Sequence, residues 1–128
     1  MNPTATLLRW YRKTTSGDLS LGGSYTADEV RELLRPDADG ATDRVEAARA
    51  VASQPGRWLD RVTGEHRRQI GDLADRLPAL VFHHTLGRPV GELVSRFGGW
   101  STWRYERALE LACACIADQL NQATRIAA

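Results

Sequence analysis

Hydroxyl and cationic side chains are concentrated in one short stretch of this 128-residue chain, residues 101–107. Ser101 and Thr102 are adjacent, and Trp103, Arg104 and Arg107 follow within about two helical turns. Arginine donates hydrogen bonds to phosphate oxygens and to guanine edges, and serine and threonine hydroxyls suit phosphate contacts. The residue types and their spacing therefore indicate contact with nucleic acid.

The surrounding segment, residues 88–109, has the sequence pattern of two helices joined by a glycine turn. Leu93 and Val94 lie in the middle of the first helix, Phe97 ends it, and Gly98 follows at the turn. The inner face of the second helix is apolar, with Trp100, Tyr105, Ala108 and Leu109. This pattern resembles a helix-turn-helix, whose second helix enters the major groove of DNA. It departs from the usual motif in an extra turn residue, Gly99, and in Val94 where a small residue is common.

The outer face of the second predicted helix is available for a ligand. We predict DNA contacts from Ser101, Thr102, Trp103, Arg104 and Arg107, with Arg88 and Arg96 flanking the phosphate backbone. From residue 88 to residue 107 there are four arginines and two glutamates, a local charge of +2. The alternative for the same segment is two ordinary core helices with solvated arginines.

The terminal helix continues from residue 109 to residue 117 with apolar residues on nearly every side. A helix of this kind is buried all round. It is either the central helix of the bundle or a core helix that also forms a subunit contact, through Leu111, Cys115 and Ile116. A homodimer would suit a DNA-binding protein, because two-fold proteins match two-fold operators.

The overall charge gives weaker support to DNA binding, because 17 basic and 16 acidic residues leave a net charge of +1. Dedicated phosphate-binding proteins are usually more basic. The first hypothesis is therefore a small DNA-binding transcriptional regulator that acts through a local patch. The alternative is a non-catalytic helical protein-interaction module, such as an adaptor, an antitoxin-like partner or a small subunit of a nucleoprotein complex.

Other possible sites have unsuitable spacing. Cys113 and Cys115 are two residues apart, so on a helix their thiols point about 200° apart and form neither a disulfide nor a metal pair. His83 and His84 diverge by about 100° on a helix. No phosphate loop or nucleophile elbow occurs. We expect no enzyme activity, no cofactor and no metal.

Without a signal-peptide pattern or an apolar run of about 18 residues, we also expect a cytoplasmic protein with no membrane contact.

Hydrophobic residues recur with a helical period, and strand-like alternation is nearly absent. We predict an all-α fold, one domain over residues 1–128 with about six helices. The predicted helical segments are 4–13, from Thr26 to Pro36, 42–53, a short piece at 58–62, a longer segment through Ile70 and His84, 89–97 and 101–121. Pro78 is expected to kink or divide the longer segment, and Gly87 to cap its end.

Overall fold

The computed structural model describes residues 24–97 and 101–127, and these ranges contain helices and loops with no strand. The predicted all-α fold is confirmed. The α-helices are α1 (Ala27–Leu33), α2 (Asp43–Ala52), α3 (Pro55–Trp58), α4 (Gly64–Ile70), α5 (Leu77–Thr85), α6 (Val90–Phe97) and α7 (Thr102–Ala127). Two 3-10 segments, Leu59–Arg61 and Gly71–Arg76, connect α3 to α4 and α4 to α5. The predicted helix at 4–13 lies outside the described residues.

Threonine side chains begin the first two helices and α4. The Thr26 hydroxyl accepts from the Glu29 backbone N–H at 3.1 Å, and the Thr42 hydroxyl accepts from the Val45 N–H at 3.4 Å. Thr63 does the same for the third residue of α4. Each hydroxyl satisfies a backbone donor that has no partner inside its helix. The starts predicted at residues 26 and 42 are therefore confirmed.

The longer predicted segment is divided, but the break begins at Gly71 and not at Pro78. Gly71 has φ +58° and ψ −132°, a backbone conformation that essentially only glycine adopts. The chain then continues as a 3-10 segment before α5 begins. Pro78 is the second residue of α5, where its missing N–H removes no helical hydrogen bond. Pro55 likewise stands at the first position of α3, after α2 has ended at Ala52.

The predicted glycine cap of α5 is confirmed at Gly87, which has φ +78°. Its N–H donates to the His84 carbonyl at 3.0 Å, and the Arg88 N–H donates to the His83 carbonyl at 3.1 Å. These two bonds form a Schellman motif, which satisfies carbonyls at the helix end. The motif fixes the direction in which the chain leaves α5 and so places Arg88 at the entry to α6.

The long helix α7 is the centre of the fold and contacts every other helical segment described. Its middle is buried on all sides; the buried residues are Tyr105, Ala108, Leu109, Leu111, Ala112, Cys113, Cys115, Ile116, Ala117 and Leu120. Trp58 of α3 is fully buried in the same core, and its indole N–H donates to the Ala52 carbonyl at 3.4 Å. Burial of this much apolar surface holds α7 in place.

Polar contacts fix α7 near both of its ends. Glu106 accepts from the Arg31 guanidinium of α1 at 2.7 Å, and the Arg31 carbonyl lies 2.7 Å from the Nε2 atom of His84 in α5. Towards the other end, the Asn121 side chain accepts from the Tyr25 N–H at 2.7 Å and donates to the Tyr25 carbonyl at 3.0 Å. The first turn of α7 therefore projects from a helix that is tied to its neighbours along its length.

Candidate nucleic-acid interface

The first turn of α7 is exposed, unlike most of the helix. Ser101 caps it, since its hydroxyl accepts from the Arg104 N–H at 3.3 Å. Ser101, Thr102 and Trp103 are all exposed, and Trp103 exposes 67% of its surface. Tyr105, two residues after Trp103, is completely buried. Two residues correspond to about 200° on a helix, so the first turn has an outer face and an inner face, as predicted.

Helix α6 packs on the inner face of α7 through its apolar side. Leu93 is buried, and Val90 and Val94 are partly buried against the core. Leu93, Tyr105 and Leu109 line one narrow crevice between α6 and α7. These are the apolar positions that the helix-turn-helix pattern uses to join its two helices. The turn residues Gly98, Gly99 and Trp100, and the side chains of Arg96 and Phe97, lie outside the described part of the chain.

Arg88 lies at the entry to α6, and its side chain is half-buried at the edge of that crevice. The Arg88 side chain forms no ion pair or hydrogen bond with any residue that the structure describes. Among the arginines whose side chains the structure describes, Arg57 of α3 is the other one whose side chain has no such partner. The Arg88 guanidinium can therefore contact an anion without first giving up a partner among the described residues.

Arg107 is in a different situation, although it was predicted as a DNA contact. Its Nε atom donates to the Gln69 side chain of α4 at 3.1 Å, and its Nη1 atom pairs with Glu110 at 3.0 Å. These contacts occupy the Nε and Nη1 donors of the guanidinium, so a phosphate would have to use its remaining donors or replace these partners. Arg107 is therefore best suited to positioning, because it connects α4 to the second turn of α7.

Arg104 is half-buried in the first turn of α7, between the exposed residues and the core. The nearby acidic side chains are largely compensated. Glu106 pairs with Arg31 at 2.7 Å, and Glu110 pairs with Arg107. Glu92 on α6 is exposed. The first turn of α7 itself contains no acidic residue, so nothing in that turn repels phosphate.

The residues predicted at a subunit interface, Leu111, Cys115 and Ile116, are buried in the core with exposed fractions of 4%, 1% and 0%. They pack within one chain, so this arrangement leaves them no surface for a second subunit, and the burial favours the core alternative for this part of α7. Burial also raises the pKa of Cys115 to about 11 and that of Cys113 to about 12. Both thiols are therefore protonated and unreactive near neutral pH.

Two exposed apolar residues, one on α5 and one directly after it, were not predicted. Phe82 exposes 60% of its surface, and Leu86, one turn later, exposes 49%. The exposure of Phe82 could have been predicted from the sequence, because Leu77, Leu80 and Val81 form the buried stripe of α5 and Phe82 lies beside that stripe. The sequence also gave no indication that Gln69 would hold Arg107, since the contact joins residues 38 positions apart.

Within residues 24–97 and 101–127, no three His, Cys, Asp or Glu side chains come together as a metal ion would require. No helix in those ranges combines the length and the apolar character needed to cross a bilayer. No family model, curated protein or solved structure matches the chain.

Proposed function

We propose that this chain is a small DNA-binding regulator that contacts duplex DNA with the first turn of α7. The observation that carries the proposal is the division of that turn into two faces. Ser101, Thr102 and Trp103 are exposed on the outer face, while Tyr105 and Leu93 join α7 to α6 on the inner face. A recognition helix needs this arrangement, because its N-terminal residues contact base edges while its inner side is held by the preceding helix.

The chemistry of the exposed turn supports the same proposal. The first backbone N–H groups of a helix have no partner inside it, and the helix dipole is positive at this end. Ser101 and Thr102 add hydroxyl groups that can bond to phosphate oxygens. No acidic side chain in the turn opposes such a contact.

The cation best placed to contact the phosphate backbone is Arg88, whose side chain has no partner among the residues described. Arg104 is the second candidate, at the end of the exposed turn. Arg107 acts as a positioning residue through Gln69 and Glu110. We include Arg96 on the sequence pattern alone. The overall charge of +1 implies that binding is local and that few phosphates are neutralised, so the affinity is modest and its dependence on salt is shallow.

Transcriptional regulation, a cytoplasmic location and a homodimer complete the proposal. A two-fold protein would match a palindromic operator. Such a dimer would have to use a surface other than Leu111, Cys115 and Ile116, because these side chains are buried within the chain.

The test is the binding of fluorescently labelled duplex DNA, followed by anisotropy at low salt. Arg88→Ala is expected to weaken binding by about fivefold, which corresponds to roughly 1 kcal/mol of lost phosphate contact. The matched control is Arg57→Ala, which also removes an arginine without a described partner. Arg57 lies four residues before Arg61, whose side chain contacts Gln119, about 25 Å along α7 from Thr102. Equal losses in the two variants, or no binding by the wild type, would contradict the proposal.

A second function, protein interaction, is favoured by the exposed apolar side chains Trp103, Phe82 and Leu86 together with the near-neutral charge. Exposed aromatic residues are frequent centres of protein interfaces. This function predicts a protein partner whose affinity falls at least tenfold with Trp103→Ala or Phe82→Ala and is unaffected by Arg88→Ala. Isothermal titration with the co-purified partner separates it from DNA binding, which predicts the opposite dependence on Arg88.

A further inference from the structure

Trp103 is the exception among the large apolar residues of α7 whose side chains the structure describes. It exposes 67% of its surface, whereas Tyr105, Leu109, Leu111, Ile116 and Leu120 each expose 4% or less. An indole that stays in water does not contribute the free energy that burial of its large apolar surface would give. Trp103, which lies at the centre of the proposed DNA-contacting turn, is therefore not packed in the core.

The neighbours of Trp103 make this end of the helix largely uncharged. Ser101 and Thr102 are exposed on the same turn, and the turn has no acidic residue. Thr102 adds a methyl group beside the indole. The tip of α7 therefore presents apolar surface and hydroxyl groups, whereas the cations Arg88 and Arg104 are half-buried.

The major groove of DNA offers one apolar group to a protein, the C5 methyl of thymine. Phosphates, guanine edges and the adenine amino group are all polar, so an apolar indole face that covered them would remove them from water without giving them a hydrogen-bond partner. We propose that Trp103, assisted by the Thr102 methyl, recognises thymine by its C5 methyl group, so that the operator has thymine opposite the first turn of α7. This inference rests on the proposed function, because it names the base that the same turn would contact.

Uracil tests the inference directly, since it pairs like thymine and lacks only the C5 methyl. Duplexes are first enriched from a random 20-base-pair pool by binding to the wild-type protein, and the enriched pool is amplified with either dTTP or dUTP. Both products carry the same phosphates and the same base-pairing edges. Wild-type protein is expected to bind the uracil pool about fourfold more weakly for each contacted methyl, the effect of burying one methyl-sized group.

Three variants identify the side chain responsible. Trp103→Ala is expected to bind the thymine and uracil pools equally, and Trp103→Phe to keep part of the preference for thymine. The matched control is Phe82→Ala, which removes an aromatic ring with 60% exposure on α5, and it should keep the full preference. Thermal unfolding of each variant, followed by circular dichroism, checks that it is folded.

The outcomes separate this inference from the proposed function. If wild-type protein binds both pools equally, DNA binding stands and recognition of thymine by Trp103 is wrong. The same conclusion follows if Trp103→Ala keeps the preference. If no pool is bound at low salt, the proposed function and this inference fail together. A preference that is present in the wild type and lost only with Trp103→Ala supports both.

Discussion

Replacing Gly87 by alanine tests the turn that places α6 and Arg88. Gly87 has φ +78°, and a side chain in the left-handed region costs about 1–2 kcal/mol. A Cβ atom at this position would also lie 3.0 Å from the Cγ atom of Pro36, so the proline ring would have to shift by a few tenths of an ångström. Alanine offsets part of this cost by restricting the unfolded chain. We therefore expect Gly87→Ala to lower the free energy of unfolding by about 1–2 kcal/mol.

Gly91→Ala is the matched control, because it introduces the same methyl group four residues later, inside α6. A Cβ atom at Gly91 would meet nothing within 4 Å, and the backbone there is helical. Alanine exceeds glycine in helix propensity by up to about 1 kcal/mol, so this variant should be more stable than the wild type.

Urea denaturation followed by circular dichroism at the helical band measures both changes. With a slope of about 1–3 kcal/mol per molar urea, the midpoint of Gly87→Ala should fall by roughly 0.3–2 M and that of Gly91→Ala should rise. The reasoning is refuted if Gly87→Ala is as stable as the wild type. It is also refuted if both variants shift the midpoint in the same direction.

Three further predictions concern the core and the contacts of α7. Asn121→Ala removes both side-chain hydrogen bonds to the Tyr25 backbone. It should lower the free energy of unfolding, measured in urea titrations, by about 1–3 kcal/mol. An unchanged midpoint would show that these bonds contribute little. Trp58→Ala empties a fully buried site and should cost about 3–5 kcal/mol by the same measurement, so a small loss would contradict the burial. Cys113 and Cys115 should react with a thiol reagent at pH 8 only after unfolding. Because burial raises the pKa values of both thiols above 9, the unfolded chain loses these protons at lower pH than the folded protein does. The free energy of unfolding should therefore fall as the pH rises from 9 towards 11. Rapid labelling of the folded protein, or stability that rises over this pH range, would contradict the assignment.

Much of the fold could be predicted from local residue patterns. Thr26 and Thr42 begin helices because a hydroxyl beside free backbone donors is a local interaction, readable within four residues. Gly87 ends α5 for the same kind of reason. The break at Gly71 was missed because a single glycine inside an apolar helical pattern is usually tolerated, whereas Pro78 gives the stronger local signal. Packing decided between them.

The candidate site was predictable only in part. The exposure of residues 101–103 and the burial of Tyr105 follow from helical periodicity, which the sequence contains. The partners of Arg107 do not, because Gln69 comes from another helix and the contact depends on how α4 packs on α7. The partner that covers Leu111, Cys115 and Ile116 was likewise not predictable from the sequence. Their apolar character was evident, but whether a neighbour within the chain or a second subunit would cover them depended on the tertiary arrangement.

The most direct test of DNA binding by the first turn of α7 is the salt dependence of duplex affinity, measured by anisotropy from about 50 to 200 mM salt. The plot of log K against log salt concentration should fall with a slope of about −0.9 for each phosphate contacted. Arg88→Ala should reduce the magnitude of that slope by about 1, and Arg57→Ala should leave it unchanged. An affinity independent of salt, or a slope that Arg88→Ala does not alter, would contradict the assignment of this surface to DNA.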